Sequence, residues 1–187
     1  MIATNQFKSG MTLEYEGDIY VVMEYEHVKP GKGGAFCRTK LKNLRSKKIL
    51  DRTFRAEEKF PEVFVEGKKA QYLYRAADTL HFMDQNNYEE ITVTLAQLEG
   101  NEKFLKENMD VEIVMHQQEV IEVRMPIFVQ ARISHTEPGI KGDTARNTFK
   151  SATIETGAVI QVPLFINEND VIKIDTRSGD YVERVSS

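Results

Sequence analysis

Short runs rich in β-branched and aromatic residues, each closed by a polar or glycine-bearing turn, recur along the chain and constrain its fold more than any other feature. Ile19-Tyr20-Val21-Val22-Met23 is the first clear run, entered through Gly17. From Phe36 to Leu44 the residues alternate, with Cys37, Thr39 and Leu41 on one face and Phe36, Arg38, Lys40 and Lys42 on the other. A strand of that pattern packs one side inward and shows cations on the other. With Ile49–Phe54 and Phe60–Val65 this makes about five strands in roughly 65 residues, which predicts a small SH3-like (KOW-like) barrel with no room for a helical layer.

A second group of strands is predicted at Gln71–Tyr74, Thr79–Met83, Glu90–Thr94, Val111–Met115 and Val120–Val123. A helix is expected between Leu95 and Asn108, although its apolar spacing is only roughly helical and Gly100 weakens it. Pro126 marks a boundary. Five further runs follow, at Ile127–Ile133, Ala152–Ile154, Val159–Val162, Val171–Ile174 and Tyr181–Val185, with turns that include ETG, INEND and TRSGD. Such spacing is that of an oligonucleotide-binding-type (OB) barrel. The predicted fold is all-β, with three small barrels in series over residues 1–64, 65–126 and 127–187.

Charge is distributed unevenly over this frame. The 187 residues carry a formal net charge of -4, yet Lys29 to Arg55 holds ten Lys or Arg against one acid, Asp51. Residues 1–64 carry twelve basic and nine acidic side chains, and the remainder thirteen and twenty. A local basic field on an acidic chain points to an oriented encounter with a polyanion. No apolar run is long enough to span a bilayer, and MIATNQFKSG lacks the order of a secretory signal, so a cytoplasmic protein without a membrane partner is expected. Cys37 is the single cysteine, which excludes an internal disulfide and a multi-cysteine metal site.

Catalytic constellations are not found. His27, His81, His116 and His135 are scattered without metal-ligand spacing, and neither GxSxG nor HExxH occurs. GKGG at Gly31–Gly34 is not a phosphate loop: it lacks the first glycine, has no Ser or Thr after the lysine and opens no helix. A binding protein is therefore favoured over an enzyme. An ordinary hairpin tip needs one or two residues that tolerate positive φ, whereas HVKPGKGGAF sets three glycines and a proline around Lys32. Stripping bulk from both sides lets the lysine enter a narrow space in which the backbone lies close to its target.

HVKPGKGGAF resembles the tip-loop motif of the bacterial elongation factor P family, and the resemblance covers the full chain. FKSGMTL, QYLY at Gln71–Tyr74 and HFMD at His81–Asp84 fall where that family has similar words. Its C-terminal pattern is matched by Lys150, Ala152, Gly157, Ile160, Val162-Pro163 and Ile166. Asn169 stands where the family usually has glycine, and Ala145 to Ala152 replaces a glycine-rich loop ending in Lys-Pro-Ala with a bulkier, more cationic one.

The resemblance implies a tRNA-like outline and a factor that binds the 70S ribosome between the peptidyl and exit sites, where it relieves stalling at proline runs. It implies that Lys32 points at the acceptor end of peptidyl-tRNA, with Lys29, Pro30, Gly31, Gly33 and Gly34 shaping its loop. No cofactor is implied; Lys32 is a candidate for covalent extension by a modifying enzyme. Gly142, Asp143 and Thr144 would approach the small subunit and the exit-site codon, supported by Arg177, Tyr181 and Arg184. The basic residues Arg38, Lys40, Lys42, Arg45, Lys47 and Lys48 are candidates for tRNA-backbone contacts, and a monomer is expected. Two rivals are a transcription- or RNA-associated SH3/OB protein without proline-specific activity, and a small β-barrel enzyme with its site between domains.

Overall fold

Sixteen strands and three short 3-10 helices carry the regular structure of the computed structural model, which describes residues 1–31, 33–98, 100–138 and 149–185. By compactness the chain divides into one unit of Met1–Lys68 with Ile113–Glu122, and a second of Lys69–Glu112 with Val123–Ser187.

In the first unit, β1 (Ile2–Ala3) pairs with β6 (Lys59–Phe60), while β2 (Thr12–Tyr15), β3 (Asp18–Val28), β4 (Phe36–Asn43) and β5 (Ile49–Arg55) form an antiparallel sheet in that order. The alternation read from Phe36 to Leu44 is realised: Cys37, Thr39 and Leu41 are buried and Arg38 is exposed. Burial pushes the Cys37 thiol above its ordinary pKa, which leaves it an inert core residue. Leu41 and Cys37 pack with Phe7, Leu13, Val22, Phe54 and Phe60. Tyr15 meets Phe54 edge-on at 5.4 Å, and Phe54 meets Phe60 at 4.7 Å. Each such aromatic pair adds about 0.5–1.5 kcal/mol beyond the area it buries.

Strand β3 is longer than its β-rich run. Eleven residues extend to Val28, and from Met23 to His27 every side chain is exposed. That outer half lacks an apolar alternation to betray it, and it persists because β4 satisfies its backbone across the hairpin, past a register shift between Val22 and Glu24. The expected strand Phe60–Val65 is cut to Lys59–Phe60. Pro61 has no N–H to continue the ladder, although its carbonyl still accepts from Glu14 N and Val63 N donates to Thr12.

The middle segment supplies β7 (Glu66–Ala76), β8 (Thr79–Asp84), β9 (Glu90–Thr94), β10 (Asp110–His116) and β11 (Glu119–Arg124), ordered β11-β10-β7-β8-β9. The helix expected between Leu95 and Asn108 does not form. Two 3-10 turns, Leu95–Leu98 and Asn101–Phe104, flank Gly100, whose φ of 89° is left-handed and interrupts any longer ladder. Leu98, Phe104 and Leu105 are still buried.

The last sheet contains β12 (Phe128–Thr136), β13 (Phe149–Ile154), β14 (Val159–Pro163), β15 (Val171–Asp175) and β16 (Asp180–Arg184), ordered β14-β13-β12-β15-β16. Its core unites Val129, Ile133, Ile154, Val162, Ile166 and Ile172 with Phe104. Among the described residues no helix is long and apolar enough to cross a membrane.

Candidate functional site

The β3–β4 hairpin carries the tip. Its last pair is Val28 with Phe36, so residues 29–35 span the loop. Lys29, Pro30, Gly31, Gly33 and Gly34 are all exposed, and Lys32 lies outside the described residues. Gly33 has a φ of 110°, a conformation that side chains rarely adopt, and a Cβ there would meet Pro30 Cγ at 3.9 Å. Gly31 and Gly34 are different. Neither has positive φ, and among the described residues a Cβ on either would meet nothing within 4 Å. Their lack of a side chain answers no demand that the described residues make.

Behind the tip, Arg38, Lys40 and Lys42 follow on one face of β4, but the face is not purely cationic. Arg38 Nη1 lies 3.8 Å from Glu26 Oε2, and Lys40 Nζ lies 3.2 Å from Glu24 Oε2. Register sets these partners opposite one another, and it places Asp51 of β5 across from Lys40 on the other side. Lys42 instead faces Val21 and Ile49. The Arg38 guanidinium also sits 5.6 Å from the Phe36 ring centroid. With side chains 64% and 67% exposed, a pair such as Arg38–Glu26 contributes about 0–1 kcal/mol and is weakened further by salt.

The turn after β4 is built by Asn43. Its buried side chain accepts the N–H groups of Arg45 and Ser46 at 2.9 and 2.8 Å and donates to Asp18 at 3.1 Å. Lys47 takes a φ of 59° there and donates to the Leu44 carbonyl at 2.8 Å. Arg45 reaches Glu119 at 2.8 Å, and Lys47 pairs with Glu122. No ion pair involves Lys42 or Lys48 among the described residues. Four of the six predicted backbone-contacting cations thus hold carboxylates. The sequence reading missed Glu24, Glu26, Glu119 and Glu122. The period-2 spacing of Glu24 and Glu26 was a usable signal; Glu119, 74 residues from Arg45, offered none.

At the C-terminal end, Gly142, Asp143, Thr144 and most of the atypical loop lie outside the described residues. Arg177 is committed to its own turn: its backbone N–H and Nε donate to Asp175 Oδ1 at 2.9 and 3.0 Å, and Nη2 donates to Oδ2 at 2.5 Å. These bonds, the guanidinium's first, hold the Asp175 carboxyl down at about 2. Tyr181 packs against the core, and Arg184 lies 3.8 Å from Asp170 and 5.8 Å from the Phe165 ring centroid. The family-like residues Ala152, Ile160, Val162 and Ile166 are buried, and Gly157 turns with a φ of 88°. Lys150 donates to the Glu137 carbonyl at 2.7 Å. Asn169 adopts a φ of 71° and donates its N–H to Ile133, so the turn that usually has glycine survives. Among the described residues no group of three His, Cys, Asp or Glu could hold a metal ion.

Three family profiles cover the chain in order: the elongation factor P (EF-P) KOW-like domain over residues 3–60, the EF-P OB domain over 65–123, and elongation factor P, C-terminal, over 129–184. Elongation factor P of Moorella thermoacetica is 50% identical over 184 residues, covering 98% of this chain and 100% of its own. That of Natranaerobius thermophilus is 49% identical over 185 residues, covering 99% and 98%, and that of Clostridium tetani 50% over 185, covering 99% and 100%. A translation initiation factor eIF-5A family protein of Naegleria fowleri shares the fold with a TM-score of 0.54 at 13% identity, over 66% of this chain and 96% of its own. All-β, with a KOW-like domain followed by OB-type domains, this chain belongs to the elongation factor P family and is a translation elongation factor, not an enzyme.

Proposed function

We propose that the chain binds the 70S ribosome between the peptidyl and exit sites and promotes peptide-bond formation at polyproline stalls by positioning peptidyl-tRNA through the Lys32 loop. The observation that carries this reading is the tip: two of its glycines, Gly31 and Gly34, are exposed, take no special φ and border open space. Absence of bulk that the fold does not require is useful where another molecule must approach the backbone. Lys32, with or without a covalent extension added by a modifying enzyme, then reaches the acceptor end, while Lys29 and Pro30 complete the loop.

Proline is a poor partner in peptide transfer because its ring fixes φ and restricts the nascent chain. The ribosome supplies the reaction centre, so a helper need only hold peptidyl-tRNA in productive geometries; positioning of that kind lowers a barrier by several kcal/mol without a catalytic group. Arg38, Lys40, Lys42, Arg45, Lys47 and Lys48 would contact the tRNA backbone, with Lys42 and Lys48 the readiest to do so. The end bearing Gly142, Asp143 and Thr144 would face the small subunit, with Arg177, Tyr181 and Arg184 supporting it. The protein acts as a cytoplasmic monomer and needs no cofactor.

The test is the rate of Pro-Pro-Pro formation on purified ribosomes, with and without the protein isolated from its native host. Proline-specific acceleration is expected, and Lys32→Ala should abolish it while leaving the melting temperature unchanged. Near-normal activity in that variant would remove Lys32 from the mechanism. No acceleration by the native protein would favour the RNA-associated SH3/OB alternative.

A further inference from the structure

We propose that Glu24 and Glu26 are specificity-determining residues that neutralise the Arg38–Lys40 segment of β4 in the unbound protein, so that only an RNA backbone able to replace both carboxylates at once engages it. The inference rests on the reading of β4 as a tRNA-backbone surface.

Three observations carry it. First, the geometry is systematic: consecutive outward cations on β4 each meet an outward carboxylate on β3, Arg38 with Glu26 at 3.8 Å and Lys40 with Glu24 at 3.2 Å. Second, carboxylates are not scarce where the pairing occurs. A shallow groove of about 380 Å³ is bordered by Glu24, Glu26 and Asp51 with Arg38 and Lys40, three acids against two bases on the outward face, while Arg52, which also borders it, pairs with Thr39 and belongs to the opposite face. The pairing also stops: one step further along β4, Lys42 stands directly opposite Val21 and Ile49, and among the described residues no ion pair involves it. Third, the carboxylates do nothing evident for the fold. Glu24 and Glu26 sit on the exposed outer half of β3 with side chains 71% and 67% exposed, and glutamate is a poor strand former.

An uncovered row of cations would draw any polyanion, because phosphate attraction is blind to sequence and shape. Pairing each cation with a carboxylate across the ladder cancels its field beyond a Debye length. At contact the pairs open readily, since both partners are solvated, and a phosphate can take the place of each carboxylate. A ligand that offers phosphates at both positions gains two exchanges together; one that offers a single phosphate leaves a carboxylate facing RNA, which repels it. Discrimination then comes from the penalty laid on the wrong partner as well as from attraction to the right one.

The test compares full-length wild type, Glu24→Gln/Glu26→Gln and Arg38→Gln/Lys40→Gln. Binding of labelled oligouridylate is titrated against salt, and Pro-Pro-Pro formation is measured with and without excess unlabelled oligouridylate. With two cations uncovered, the Glu24→Gln/Glu26→Gln variant should bind oligouridylate more tightly. Its slope of log K against log salt should steepen by roughly 1.4, at about 0.7 per phosphate on a single strand. Its proline activity should also become sensitive to the competitor. A slope and affinity equal to wild type overturn the proposal. Failure of the underlying reading looks different: Arg38→Gln/Lys40→Gln would keep full proline-specific acceleration, whatever oligouridylate does. The single variants Glu24→Gln and Glu26→Gln should each give about half the slope change, which keeps the test open if the double variant fails to fold.

Discussion

Two glycine-bearing motifs, the tip at Lys29–Gly34 and the stretch from Lys150 to Ile166, look equally restrictive on paper but answer to different masters. In the C-terminal motif the fold accounts for the residues one by one. Ala152, Ile160, Val162 and Ile166 are buried in a single cluster, Gly157 needs its φ of 88°, and Lys150 ties β13 to the Glu137 carbonyl. At the tip the fold accounts only for Gly33, by its φ of 110°. Among the described residues nothing constrains Gly31 or Gly34. Glycines in excess of what the described fold demands are what a close external partner would call for, and under the proposed function this sets the tip apart from the structural motif.

The separation is broken most forcefully from the structural side. Ile166 is fully buried, so Ile166→Ala should cost about 2–5 kcal/mol in chemical denaturation. Proline activity should then track the folded fraction alone; an activity loss in fully folded Ile166→Ala protein would give that motif a direct role and blur the contrast. A smaller effect is expected at Gly157, where alanine has open space but the wrong φ. Gly157→Ala should cost about 1–2 kcal/mol, with activity at saturating protein unchanged.

How far the sequence revealed each region follows from the same distinction. Strands that bury one face announce themselves by alternation, and β4 is the clearest case. The outer half of β3 was invisible because Glu24, Tyr25, Glu26 and His27 bury nothing. The helix expected from Leu95 gave way to 3-10 turns because Gly100 goes left-handed, and Pro61 ended the strand that the apolar residues from Phe60 to Val65 predict. In the candidate site, the tip could be read from residue types alone. Of the carboxylates that meet the cations, Glu24 and Glu26 left a trace in their period-2 spacing, but which cation each one faces depends on register, since a one-residue shift would have turned both to the other face; Glu119 left none. Asn169 was legible in both senses, as a departure from glycine and as a residue able to hold the φ of 71° it adopts.

The smallest change in stability sharpens the comparison best. Among the described residues a methyl group at Gly34 meets no atom within 4 Å, and it faces no strained φ. Gly34→Ala should therefore leave the melting temperature unchanged or raise it, since alanine restricts the unfolded chain and can stabilise by about 0.4–1 kcal/mol at a compatible site. If the tip backbone must lie against peptidyl-tRNA, the same methyl displaces the loop, and a displacement of about an ångström at a positioning element costs up to roughly a hundredfold in rate. The expected result is a protein as stable as wild type with proline-specific acceleration reduced at least about tenfold. Gly157→Ala should show the reverse, stability lost and acceleration kept. The crossed pattern cannot arise from general damage, because each variant is intact in the property the other loses. Full acceleration by Gly34→Ala would mean that its glycine serves neither fold nor partner, and the tip would lose its claim to be the functional end.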